Sequence, residues 1–319
     1  MFRVSSTRQI LQPAQNTKIS QAAVYGGIKY DADTTTLVND SKKYPSFRSL
    51  DNVYWIASDT TDLRSGAKEL PATKPEVEDI DKMLRAAHVA NSLYIGTDGT
   101  EASFKALSGK KKNLLHIATH GFYSPAAKPQ NDDTGSTVQH EERIMMRSGL
   151  LLAGANTTLT GKSMPKNVED GVLTAQEIAT LDFRDLDLVV MSACETGLGD
   201  VSGEGVFGLQ RGFKKAGAKS LLMSLWKVND EATRLLMTQF YKNLTSGLSK
   251  YESLRSAQKF VREYEVEIEE QNDKSSVLEK LSTRQTSQVE TDNKKAKKKV
   301  KKYQDPKMWA AFILLDAIN

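Results

Sequence analysis

Leu114-Leu-His-Ile-Ala-Thr-His-Gly121 and Val189-Val-Met-Ser-Ala-Cys-Glu-Thr-Gly-Leu-Gly199 are the two stretches whose reading decides the fold. Each is a short apolar run that stops at a reactive side chain and a turn-forming glycine. A run of that length without polar alternation reads as a strand buried on both faces, as in a parallel sheet covered by helices. Four further runs have the same character: Val53–Ala57, Ser92–Gly96, Ser220–Trp226 and Ala311–Leu315. Helical patterns lie between them at Pro75–His88, Gly205–Lys215, Glu231–Leu244 and Tyr251–Tyr264. Thr73-Lys-Pro75 reads as a helix start and Thr174-Ala-Gln-Glu177 as a capping box. Strands alternating with helices predict an α/β domain with a mostly parallel central sheet and helices on both faces.

The remaining segments depart from that rhythm. Residues 1–24 are polar and aperiodic and read as a loosely ordered lead-in to a domain spanning 25–319. Residues 123–172 are rich in Asn, Asp, Gly, Ser and Pro around one apolar island, Gly149-Leu-Leu-Leu-Ala153. Residues 266–306 are highly charged and read as an insertion before the last strand. Seven of the nine residues from Lys294 to Lys302 are lysine, so the net charge of +4 leaves −3 for the rest of the chain. No aromatic residue interleaves with that run to stack on bases, so it is expected to be a solvated loop rather than a nucleic-acid platform.

The bulk composition, 39% hydrophobic and 26% charged over 319 residues, is that of a globular chain. No apolar run has membrane-spanning length, and the first residues show no apolar signal core. The single cysteine excludes an internal disulfide and fits a reducing compartment, expected to be the cytoplasm.

His120 and Cys194 both fall at the carboxyl ends of predicted strands, where open α/β sheets bind their ligands. A thiol with an imidazole nearby is a nucleophile and base arrangement, able to attack a carbonyl and manage the leaving group's proton. The amides of Gly121 and Cys194 are candidates to hold the resulting oxyanion. A cysteine at a strand end also serves as an ordinary small apolar side chain. His116, two alternations before His120, is expected on the same face as a supporting or structural residue. A His116–His120 metal pair lacks a suitably spaced third ligand, and no calcium loop is visible, so no metal is expected. Gly203-Glu-Gly-Val-Phe-Gly208 matches a dinucleotide fingerprint, but it starts well after its strand. The spacing of Gly205, Gly208 and Gly212 better suits a helix packed close to a sheet, and no cofactor is expected.

With these residues in view, the chain resembles the CHAT-domain family, caspase-like proteins related to separase and often joined to tetratricopeptide repeats. The resemblance is carried by His116-Ile-Ala-Thr-His-Gly-Phe122, Ser192-Ala-Cys-Glu-Thr-Gly197, Gly203–Arg211, Ser224-Leu-Trp-Lys-Val-Asn-Asp-Glu-Ala-Thr233 and Trp309–Leu314. It implies a caspase-like three-layer sandwich and a cysteine endopeptidase acting on a protein substrate through a His120–Cys194 dyad. The alternative is a catalytically silent scaffold on the same fold. In separase-like relatives an aspartate matching Asp230 meets a basic side chain before the cut bond. That implies cleavage after Arg or Lys, although Asp230 would serve equally as a helix cap. Glu195 is a candidate to orient the substrate backbone or to cap its loop. No repeat array precedes the motifs, so a separate regulatory or repeat-containing protein is an expected partner; direct nucleic-acid or membrane binding is not.

Overall fold

Residues 18–44, 65–123, 145–165, 167–192, 204–226, 228–269 and 297–316 are described by the computed structural model. The central sheet has six strands, and its middle members are the apolar runs. In chain order they are β1 (Gln21–Ile28), β2 (Ala90–Gly96), β3 (Leu114–Ile117), β7 (Leu188–Met191), β8 (Ser220–Ser224) and β11 (Phe312–Leu315). Their spatial order is β11-β8-β7-β3-β1-β2, all parallel except β11, which runs antiparallel to β8. The predicted parallel sheet is therefore present. The candidate strand Val53–Ala57 lies outside the described residues.

Helices cover both faces. On one, Val24, Leu114, Leu188, Val190 and Leu222 meet α2 (Thr73–Ala86), α7 (Asp230–Thr245) and α8 (Lys250–Glu263) through Ile80, Leu236, Phe240 and Ala257. On the other, Leu115, Ile117, Val189 and Met191 meet α3 (Glu101–Lys105), α5 (Ala175–Ile178) and α6 (Glu204–Lys215) through Phe104, Ile178 and Phe213. Side chains alternate between the two cores along every strand, which is why the strands show no polar face. Burying each large apolar side chain contributes about 1.5–3 kcal/mol.

Three expectations need correction. The sheet begins at Gln21, inside the stretch set apart as a lead-in. Ala22, Ala23 and Val24 are fully buried in β1, between β2 and β3. These small side chains give a weak apolar signal because the strand lies tight against helix α2; a Cβ on the adjoining Gly26 would come within 2.5 Å of the Val77 side chain. Next, the 123–172 region is not structureless. β4 (Gly121–Tyr123), β5 (Ser148–Leu151) and β6 (Val172–Thr174) form a small antiparallel sheet, with α4 (Ala155–Leu159) between β5 and β6. That sheet shares a third core with Ile28, Tyr30 and with Leu37 of α1 (Thr34–Lys43). Finally, the lysine run is not simply a loop. Lys297–Lys301 form β10, antiparallel to β9 (Glu265–Glu269), and the register sets Lys297, Lys299 and Lys301 opposite Glu269, Glu267 and Glu265. Opposite charges at paired positions favour that register.

A buried ion cluster ties the small sheet to the large one. The Lys105 ammonium on α3 lies 2.7 Å from Glu101, 2.8 Å from Glu169 and 3.0 Å from Glu177. Glu101 also accepts the Gly171 amide at 2.9 Å, and Glu177 closes the Thr174 capping box. Burial first, and the Glu177 charge second, push the Glu101 carboxyl well above its ordinary value. Burial works against the Lys105 ammonium, but Glu101, Glu177 and Glu169 outweigh it and hold that group above the usual lysine range.

Two outcomes follow from this packing. A Cβ on Gly212 of α6 would come within 2.5 Å of the Ala175 carbonyl oxygen. Gly212→Ala should therefore lower stability by about 1–3 kcal/mol in urea unfolding, where the same change on an open helix face would raise it by about 1 kcal/mol. Lys105→Met leaves crowded carboxylates without their cation and should lose about 3–5 kcal/mol at pH 7. Because the folded Glu101 carboxyl holds its proton above its unfolded value of 4.5, its charge costs stability as pH rises from there. The deficit of Lys105→Met should accordingly be smaller near pH 5 than at pH 7 in paired urea titrations.

Candidate functional site

The central sheet presents the carboxyl ends of β1, β2, β3, β7 and β8 along one rim, and His120 stands on it. β3 stops at Ile117, and His120 is the corner at which the chain leaves the large sheet and enters β4 of the small one. Its backbone is held on both sides. Tyr30 Oη receives the His120 amide at 3.2 Å, and the His120 carbonyl accepts the Leu151 amide at 2.8 Å. Tyr30 also bonds Thr119 Oγ1 at 2.8 Å, and its ring centroid lies 5.2 Å from that of His120.

The imidazole is oriented by the main chain. His120 Nε2 lies 2.7 Å from the carbonyl oxygen of Lys68. A carbonyl only accepts, so Nε2 carries the proton, and in the neutral ring the basic lone pair is on Nδ1. The Lys68 carbonyl is in turn placed by Asn156. Its Oδ1 accepts the Ala67 amide at 2.7 Å, while its Nδ2 donates to the Ala67 carbonyl at 3.1 Å and to Asp31 Oδ1 at 2.8 Å. Sequence reasoning missed this set. Lys68 contributes only a backbone atom, and Tyr30 and Asn156 lie far from either motif in the chain, so nothing in their local pattern marked them.

His116 takes the structural of the two roles expected for it. The strand ends at Ile117, so the two-residue alternation does not carry on to His120. His116 is fully buried against α2 and α7. Its Nδ1 lies 3.0 Å from Tyr241 Oη, and its Nε2 lies 3.2 Å from Glu76 Oε1 and 3.4 Å from Ser192 Oγ. Burial, then the Glu76 charge, push the Tyr241 phenol well above its ordinary value, so it stays a donor. His116 is a cross-brace between β3, β7 and two helices, and shares no partner with His120 among these contacts.

The other candidate residues divide as follows. Gly121 opens β4, paired with Leu150. Cys194 and Glu195 lie outside the described residues; the last described residue before them is Ser192, whose amide bonds the Ile117 carbonyl at 3.1 Å. Asp230 is exposed in the first turn of α7, beyond the carboxyl end of β8. The cap of that helix is Asn229, whose side chain accepts the amides of Glu231 and Ala232, both at 3.1 Å. The capping role considered for Asp230 therefore belongs to its neighbour, and the carboxylate is not partly buried.

A cleft of about 550 Å3 opens beyond the ends of β1 and β2, with Gly27 and Gly96 at its floor and Glu69, Leu70 and Pro71 on its rim. Its rim continues directly from Lys68. Glu101, Glu169 and Glu177 have the oxygen-donor chemistry of a hard-cation site, their ligand atoms lying within 4.8 Å of one another. The Lys105 ammonium already sits among them.

Comparison with known proteins agrees with this architecture. Tetratricopeptide repeat protein 28 of Mus musculus is 37% identical over 92 residues, and its Homo sapiens counterpart is 33% identical over 95. Those stretches are 28% and 30% of this chain but only 4% of either relative, so they speak for a shared segment and not for a shared whole. The CHAT domain family model matches residues 1–317, nearly the full sequence. The parallel sheet with a histidine at its rim and the match over almost every residue lead to one assignment: the chain belongs to the CHAT-domain family.

Proposed function

We propose that this caspase-like chain is a cysteine endopeptidase in which Cys194 is the nucleophile and His120 the general base. The observation that carries the reading is a register. Ile117 of β3 pairs with Met191 of β7 in parallel, so the strands leave the sheet side by side at the same rim. His120 follows the first by three residues, and Cys194 follows the second by three. Equal offsets from a paired position favour an imidazole and a thiol within reach of each other.

The chemistry then runs through His120 Nδ1. It takes the Cys194 proton as the sulfur attacks the scissile carbonyl, and the Nε2–H···O=C bond to Lys68 steadies the imidazolium, as a carboxylate does in a triad. The imidazolium returns the proton to the departing amine, leaving a thioester. His120 next accepts a proton from water as the water attacks that thioester, and returns it to the departing sulfur, releasing the carboxylic acid and the free thiol. An oxyanion site at the Gly121 and Cys194 amides fits the pairing of β4. Positions 120 and 151 are hydrogen-bonded, so 121 and 150 form the alternate pair, whose amides point away from the partner strand.

The finer parts of the reading rest on placement and family resemblance. Asp230, exposed beyond the end of β8, is the proposed partner of an Arg or Lys side chain before the cut bond, and Glu195 a contact for the substrate backbone. The cleft beside Lys68 has room for a further stretch of substrate. A separate regulatory or repeat-containing protein is the proposed controller, and residues 266–306 are the proposed insertion, within which most of the β9–β10 ribbon lies. No helix among the described residues is long and apolar enough to cross a membrane. A lone nucleophilic thiol suits the reducing conditions of the cytoplasm.

Because the chain has one cysteine, a thiol-reactive probe reads Cys194 alone. Labelling should be fast in the native chain, slow in His120→Ala, and absent in Cys194→Ala. Cleavage of a substrate protein should fall by about 10²–10⁴-fold in His120→Ala. A thiol whose reactivity ignores His120, with no turnover of any candidate substrate, would make the chain a scaffold on this fold. Asp230→Ala should reduce kcat/KM for Arg peptides on the order of tenfold or more while leaving thiol labelling unchanged. Unaltered cutting of Arg peptides would remove Asp230 from specificity.

A further inference from the structure

α8 turns toward solvent a concave strip that none of the roles above uses. It is a groove of about 690 Å3 whose lining includes Leu248, Arg255, Gln258, Lys259, Arg262 and Trp309. Glu252 supplies the one carboxylate of this lining, and its side chain is occupied in the Ser249 capping box. The three cations stand four and seven positions apart on one face, roughly 6 and 10 Å along the helix axis.

Several other surface cations are paired with carboxylates: Arg85 has Asp81, Arg184 has Asp182, Arg234 has Asp79 and Lys302 has Glu231. Among the described residues, Arg255 has only the Tyr251 hydroxyl at 3.5 Å, and Lys259 has no carboxylate within ion-pair distance. Arg262 is shared between Glu263 at 2.9 Å and the face of Trp309, whose ring centroid is 5.9 Å away. The apolar part is equally open. Leu248 is 40% exposed and is one of four large hydrophobic side chains left so among the described residues. The groove wall is preformed, because Gln258 donates to the carbonyls of Trp309 and Phe312 at 3.3 and 3.0 Å, bracing the segment before β11 against the helix.

The geometry points to a docking surface for an acidic peptide segment of another protein, its carboxylates meeting Arg255 and Lys259 and one large apolar side chain resting against Leu248 and Trp309. Three cations against one carboxylate in the groove lining select negative charge, and the apolar residues beside them add contact area that screening by salt does not remove. The concavity favours a peptide over an anionic bilayer, because a flat lipid surface does not enter a walled groove. The docking surface is independent of the thiol chemistry, since neither His120 nor Cys194 is part of it.

The test is fluorescence anisotropy of the full chain with a labelled peptide of about twelve residues, rich in glutamate and carrying one phenylalanine. A lysine-for-glutamate version and vesicles of phosphatidylserine serve as the competing probes. Saturable binding to the acidic peptide is expected, weaker by about tenfold or more when salt rises from about 50 to 500 mM. The doubly reversed variant Arg255→Glu/Lys259→Glu should lose it by a similar factor with its melting temperature unchanged, since both side chains are exposed. Leu248→Ala should weaken binding at high salt as well as low. No saturable binding, equal binding by the reversed variant, binding of the lysine version, or capture by vesicles without capture of the peptide would each overturn the proposal.

Discussion

Parallel pairing of β3 with β7 is the constraint on which the rest of the molecule depends. Parallel strands need a crossover, so the segment between them must leave the rim and return to the opposite edge. Here that crossover carries the small antiparallel sheet and helices α4 and α5. The pairing aligns Ile117 with Met191 and thereby sets where each chain departs. Without helices on both faces such a pair would expose two apolar surfaces, which is why the two cores and the site share one origin.

The rim is shaped by polar bonds more than by apolar contact. Asn156 joins three separate stretches of chain, and through Lys68 it fixes which nitrogen of His120 holds the proton. A main-chain carbonyl in that position has no charge of its own, and it orients the ring through a directed hydrogen bond. Tyr30 supports the same corner from β1's continuation. The buried Lys105 cluster holds the small sheet to the large one and so keeps β5 against the His120 carbonyl. These interactions belong to a single support running from the core to the imidazole.

Much of this was legible in the sequence, for identifiable reasons. β3, β7 and β8 are short, apolar and end sharply, and the Thr174–Glu177 box names its own helix start. β1 was obscured because its inward positions are Ala22 and Ala23, small enough for neighbours to approach and too small to register as an apolar run. The small sheet was hidden by strands of three or four residues set among turn formers. His116 was read as supporting or structural and is structural, but its shared face with His120 was drawn by extending two-residue alternation past the strand's end. His120 was singled out by its place beyond that end, and the structure puts it on the rim; Lys68 and Asn156 meet it through a carbonyl and a bridging amide, contributions that no residue pattern advertises.

The β9–β10 ribbon changes what the lysine-rich stretch means at a distance. Three of its lysines stand opposite glutamates, so much of that segment is an array of dipoles rather than a monopole. A dipole's potential falls with the square of distance where a lone charge's falls with the first power, and ionic solvent shortens both. Pairing leaves the formal total of +4 unchanged, because those glutamates are already counted in it, but it lowers the potential beside the ribbon below what the lysines alone would set. A polyanion drifting past would meet a weaker pull than seven lysines alone would exert, and the ribbon is a partly compensated arm that keeps a positive surplus.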